Sequence, residues 1–170
     1  MSDNVMMVRD ALRVILLRDL ENLERQILLY PDDKSVWQIA PGISNSAGNL
    51  ALHLVGNLRH FFGSILGETG YVRNRDAEFA TREMSRADLQ ALARAAIADV
   101  EATLGRITAD QLEAEYPIAI REIRVRTADF LVHLAVHFGY HLGQIDYHRR
   151  LLTRDPKPGN AMALEPLAIR

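Results

Sequence analysis

Three histidines in one short stretch, His133, His137 and His141, are spaced by four, and a further one, His148, follows them. On an α-helix, four residues advance about 400°, so neighbours at this spacing lie about 6 Å apart on one face. Two imidazoles placed this way can share one metal ion. The rest of that face is apolar, which predicts that these histidines point into a helical interior rather than into water. Buried imidazoles need partners, and a metal is one way to supply them. A histidine pair is at most half of a tetrahedral shell, so a third protein ligand is needed. His53, flanked by Leu52 and Leu54, is the candidate. Spacing leaves the pair open. His133/His137 and His137/His141 are equivalent, while His133 and His141 lie about 12 Å apart along the axis, too far to share an ion easily.

The composition narrows the chemistry further. The 170-residue chain has no cysteine, so it has no disulfide and no thiolate nucleophile of its own. A metal must be held by His, Asp, Glu or water. The acidic residues show no paired pattern for general acid–base work, and no phosphate-cradling glycine loop is present. A formal net charge of −2 gives no basic field for nucleic acid or an anionic membrane. No apolar run approaches the ~20 residues needed to span a bilayer. The first residues lack a basic region followed by an apolar core. A cytoplasmic protein of one domain, residues 1–170, is expected, with neither nucleic acid nor membrane as a partner.

The elements that must position these residues are helical. Apolar positions three and four apart, Val8, Leu12, Ile15, Leu16, Leu20, Leu23 and Ile27, predict a first helix from about Val5 to Leu29, stopped at Tyr30-Pro31. Residues 34–46 read as a loop anchored by Trp37. A second helix, apolar on most sides, runs from Ser46 or Asn49 to about Leu66 and ends at Gly67. Residues 68–84 form a long connection, with Arg73 and Arg75 expected in a solvated loop. Ser85-Arg-Ala-Asp88 is a capping-box variant that opens a third helix to about Ile107. Residues 109–126 are mixed, with an extended segment at 118–125. Thr127 is expected to cap a fourth helix over 128–152. Four helices with two long connections predict an all-α four-helix bundle. Trp37, Phe61, Phe62 and Phe138 are expected in its core. His60 is expected at a helix end or pocket rim, and His148 in water or paired with the helix dipole. Tyr140 can donate to a bound ligand or pack between helices. Gln144 is either an orienting residue or a structural amide.

The segment 131–150 carries His137, His141, Gly143-Gln144-Ile145 and Arg149, and so resembles the C-terminal helix of the DinB-like superfamily. Gly48-Asn-Leu-Ala-Leu-His53 is similar to that family's other histidine segment, and Arg75-Asp76-Ala77-Glu78-Phe79 resembles a stretch found after it. The resemblance implies an up-down-down-up four-helix bundle with long crossovers. It implies a divalent metal, zinc or nickel, on His53, His137 and His141, with His133 nearby but not a ligand. Some members of that superfamily are transferases or isomerases that use low-molecular-weight thiols such as bacillithiol or mycothiol. A metal with an open position makes a thiolate at neutral pH, so this chain needs no cysteine for such chemistry. The alternative is a non-catalytic, stress-associated metal-binding protein of the same fold. A homodimer is expected in either case, since two-fold dimers are the commonest oligomers.

Overall fold

The computed structural model describes residues 2–159 and 162–168. It is all-α: six α-helices, four of them long, and no strand among the described residues. α1 spans Ser2–Leu28, α2 Ala47–Leu58, α3 Arg75–Ala80, α4 Arg86–Arg106, α5 Ala109–Glu113 and α6 Thr127–Thr153. None of these helices is long and apolar enough to cross a membrane.

α1 and α2 each pack against both α4 and α6, and α3 lies on α2. One contiguous apolar core joins Leu16, Leu20 and Leu23 of α1 to Leu54 and Leu58 of α2, Val100 of α4, and Leu134 and Phe138 of α6. Ala93 and Ala96 are fully buried on α4, where small side chains let its neighbours approach closely. Trp37, in a single 3-10 turn at Ser35–Trp37, fills the space below the start of α2 and donates its indole N–H to the Met84 carbonyl at 2.9 Å. A Cβ on Gly48 would lie 2.6 Å from that indole, so the close approach requires glycine there.

The helix starts follow their capping residues. Ser46 Oγ accepts from Asn49 N–H, and Ser85 Oγ accepts from Asp88 N–H. Thr127 does not cap α6. It is the first helical residue and is buried, and Arg126 at the cap position makes no side-chain cap bond. An Arg126–Asp129 ion pair stands at this end instead.

Three segments differ from the pattern read in the sequence. The second helix does not stay α-helical to its end. Residues Arg59–Leu66 continue α2 as a π-helix, closed by a bond from Gly67 N–H to the Phe62 carbonyl at 2.8 Å. α4 fixes this widening from the side. Thr103 Oγ1 donates to the same Phe62 carbonyl at 3.0 Å, and Asp99 holds Arg59 at 3.0 Å. Residues 68–84 are not all loop, because α3 forms within them, capped by the Asn74 side chain. Residues 109–126 begin with α5 and then turn back through two isolated antiparallel bridges, Glu115 to Arg126 and Ile120 to Ile123.

Candidate metal centre

α2 and α6 bring His53, His137 and His141 together. One ring nitrogen from each lies within 4.8 Å of the others. Ring centroids are 5.2 Å apart for His53–His137, 5.4 Å for His53–His141 and 4.6 Å for His137–His141. His133 stays outside. It is exposed, stacked between Phe130 and the outer side of His137, with its centroid 6.4 Å from the latter. The group therefore selects the His137/His141 pair, which spacing alone left open.

The histidines do not all face the interior. His53 is buried, His137 and His141 are half-buried, and His133 is exposed, so the centre lies where the α2–α6 crevice meets solvent. The apolar residues on α6 divide between a buried face through Leu134 and Phe138 and an exposed one through Val132 and Val136.

Hydrogen bonds aim the rings. Nδ1 of His53 lies 3.0 Å from Glu78 Oε2. An ionised carboxylate only accepts, so Nδ1 carries a proton, and in the neutral ring the lone pair is on Nε2. The 3.2 Å approach of Arg73 Nη2 to the same Nδ1 is then a contact and not a bond, since both atoms are donors. Nδ1 of His141 lies 2.6 Å from Gln144 Oε1, which leaves the His141 Nε2 lone pair free. Nε2 of His137 faces Nε2 of His53 at 3.3 Å, and its Nδ1 is buried without a partner. Two neighbouring imidazoles thus present Nε2 lone pairs toward a third, whose own polar atoms cannot both be satisfied by protein. This donor set, three imidazole nitrogens and no thiolate, suits a divalent ion of borderline character.

The electrostatics disfavour protonation of His137 and His141. Burial, reinforced by His141, His53, His133 and Arg73, pulls His137 down to about 4. Burial also lowers His141, against the opposing bond to Gln144. Glu78 moves the other way in charge. Burial alone would raise its carboxyl, but the bonds from Arg73 and His53 hold it below the usual carboxylate range.

Glu78 and Arg73 stand beside the three histidines, a place that the sequence pattern assigned to neither. Arg73 is no solvated loop residue. Its guanidinium grips Glu78 through two bonds, Nε to Oε1 at 2.6 Å and Nη2 to Oε2 at 2.8 Å, and both side chains are largely buried. Gly56, one turn after His53, makes room for this pair, since a Cβ there would overlap the Glu78 carboxylate. A carboxylate that fixes the tautomer and the ring of a metal-binding histidine is a common feature of such sites. Glu78 stands 25 residues from His53, so no local spacing could reveal the contact.

The other candidates sort themselves out. Gln144 orients His141. Tyr140 is exposed and packs its ring 5.2 Å from His141. Arg75 is exposed and lies over the Phe79 ring. His60, on the π segment, is half-buried with Nδ1 unpartnered, and Asn57 Oδ1, one turn after His53, is likewise buried and unpartnered. His148 is neither solvated nor paired with the helix dipole. It is buried, with Nδ1 2.7 Å from the Tyr30 hydroxyl and Nε2 2.9 Å from the Gln38 carbonyl. Arg149 is fully buried and structural, donating to Gln26, Asp146 and the Lys157 carbonyl.

A family model described as "Protein of unknown function (DUF1572)" matches residues 7–157, a span that holds all three histidines and Glu78. No curated protein and no solved structure matches the chain.

Proposed function

The chain belongs to the DUF1572 family, whose function is unknown, and we propose that it binds one divalent metal ion on His53, His137 and His141 and works as a metal-dependent enzyme. The observation that carries this reading is the convergence of three histidine ring nitrogens within 4.8 Å at a solvent-reaching crevice. No further His, Asp or Glu among the described residues joins the group. Structural zinc sites are closed by four protein ligands, whereas catalytic ones keep a position open. That contrast favours an enzyme over the alternative, a non-catalytic stress-associated metal-binding protein with the same residues.

The reaction class we favour is transfer or isomerisation with a low-molecular-weight thiol. When bound, a zinc or nickel ion would supply a Lewis acid able to ionise such a thiol at neutral pH. The protein's own part is positional. Glu78, clamped by Arg73, holds the His53 ring, and Gln144 holds the His141 ring. Burial keeps His137 unprotonated and ready to ligate. The packing of α1 and α2 on α4 and α6 supports one domain of four bundled helices running up, down, down and up, as the DinB-like resemblance implies. We further propose that the protein is cytoplasmic and a homodimer.

Metal content of untagged protein tests the centre. About one equivalent is expected in the wild type and in His133→Ala, and loss is expected in His53→Ala, His137→Ala and His141→Ala. Metal-free wild type, even after reconstitution, would sink the reading.

A further inference from the structure

Residues of α2 and α6 one helical turn past the histidines line a cavity. Leu50 lies three residues before His53 on α2, and Gln144 lies three residues after His141 on α6. One turn of helix is about 5.4 Å, so both walls move one step along the same interface. There they border a cavity of about 410 Å³, lined by Ile43, Leu50, Gln144, Tyr147, His148 and Leu151 among others. Its size falls within the roughly 300–1,000 Å³ of small-molecule sites.

The chemistry of this cavity is mainly apolar, with Ser44, Asn45 and Gln144 as its polar lining. Tyr147 and Leu151 are 72% and 63% exposed, and Ile43 is 43% exposed, so three large apolar side chains meet water around one hollow. His148 adds no free polar atom, because both ring nitrogens are already bonded to Tyr30 and Gln38. No Lys, Arg, Asp or Glu lines it. Gln144 is the link, since this residue lines the cavity and its amide oxygen holds His141. In the opposite direction along α2, beyond His53, the crevice is polar, with the buried and unpartnered Asn57 Oδ1 and His60 Nδ1.

We propose that this cavity binds the apolar body of the ligand whose head group reaches the metal centre. The ligand class is an amphipathic small molecule, with a metal-ligating head at the three histidines and a hydrocarbon or aromatic tail between Leu50, Tyr147 and Leu151. This assignment depends on the metal reading for the head group and on the cavity for the tail, and the test separates the two.

Cobalt-loaded protein is titrated with acetohydroxamate and hexanohydroxamate, followed by the visible cobalt spectrum. A buried methylene contributes a factor of roughly four, so the longer probe should bind at least about tenfold more tightly. Leu151→Glu, an exposed position that folding tolerates, should erase that preference while leaving cobalt content and acetohydroxamate binding unchanged. Equal affinity of the two probes for the wild type overturns the proposal. So does a Leu151→Glu variant that changes the oligomeric state but not the preference, which would mean that a second copy covers the cavity. If cobalt does not bind at all, the metal reading fails alone. The cavity is then judged by 1-hexanol shifting the amide resonances of Gln144, Tyr147 and Leu151 in the metal-free chain, and their constancy overturns it.

Discussion

Glu78 is the residue on which the geometry of the centre turns. Its carboxylate accepts from His53 and from Arg73, and it fits only because residue 56 has no side chain. Glu78→Gln keeps the shape but removes the charge that orients His53 and pairs with Arg73. Metal affinity should fall about 10- to 100-fold in a chelator-competition titration. Gly56→Ala, which touches no ligand, should act in the same direction by displacing the carboxylate. Unchanged affinity in both variants would reduce Glu78 to a partner of Arg73. The acid behaviour of metal-free protein follows from His137. An unfolded histidine titrates at its ordinary 6.5, and the folded one at about 4. Below 6.5 the unfolded chain binds a proton that the folded chain refuses, so stability present above 6.5 is lost as pH falls toward 4. Glu78, held low by its partners, adds a loss of the same sign further into acid. Urea unfolding of His137→Phe against wild type should show a shallower decline between pH 6.5 and 4. Parallel curves would contradict the burial of His137 as the cause.

At the scale of elements, what was legible in the sequence was what local residues decide. Ser46 and Ser85 cap their helices through bonds to residues three along, so both starts could be read directly. The i,i+4 spacing puts His137 and His141 on one face of α6, but the packing of α2 that brings His53 within 4.8 Å of them is tertiary and lies beyond periodicity. What could not be read depends on distant partners. The π segment exists because Thr103 and Asp99, about forty residues away, hold Phe62 and Arg59. α3 is six residues long and is anchored by Glu78 reaching across to α2. His148 looked solvated because it sits beside Arg149 and Arg150 near a helix end. The segment from Tyr30 to Gln38 folds over it and supplies both of its partners. Thr127 has the chemistry of a cap, but its burial against the core places it one position inside the helix.

At the scale of the whole molecule, α6 presents two faces of different chemistry. One side carries His137 and His141 into the crevice. The adjoining side is apolar and open, with Val132 at 42%, Val136 at 68% and Tyr140 at 65% exposure. Gly139 and Gly143 lie along the same stripe, and a Cβ at either would meet nothing, so another helix backbone can approach closely there. From Val132 to Gly143 this stripe runs about 17 Å along the helix and ends before the cavity at Tyr147 and Leu151. The proposed homodimer is therefore expected to pair through α6 about a two-fold axis, each copy covering the other's valines. Val136→Glu combined with Val132→Glu puts two like charges on each copy in the middle of that contact. Sedimentation should show wild-type dimer becoming monomer in the double variant, with helical content and metal content unchanged, because both side chains are exposed and neither belongs to the histidine group. A wild type that sediments as a monomer would remove the dimer from the account. A double variant that stays dimeric would move the interface to another face and leave the α6 stripe without a covering partner.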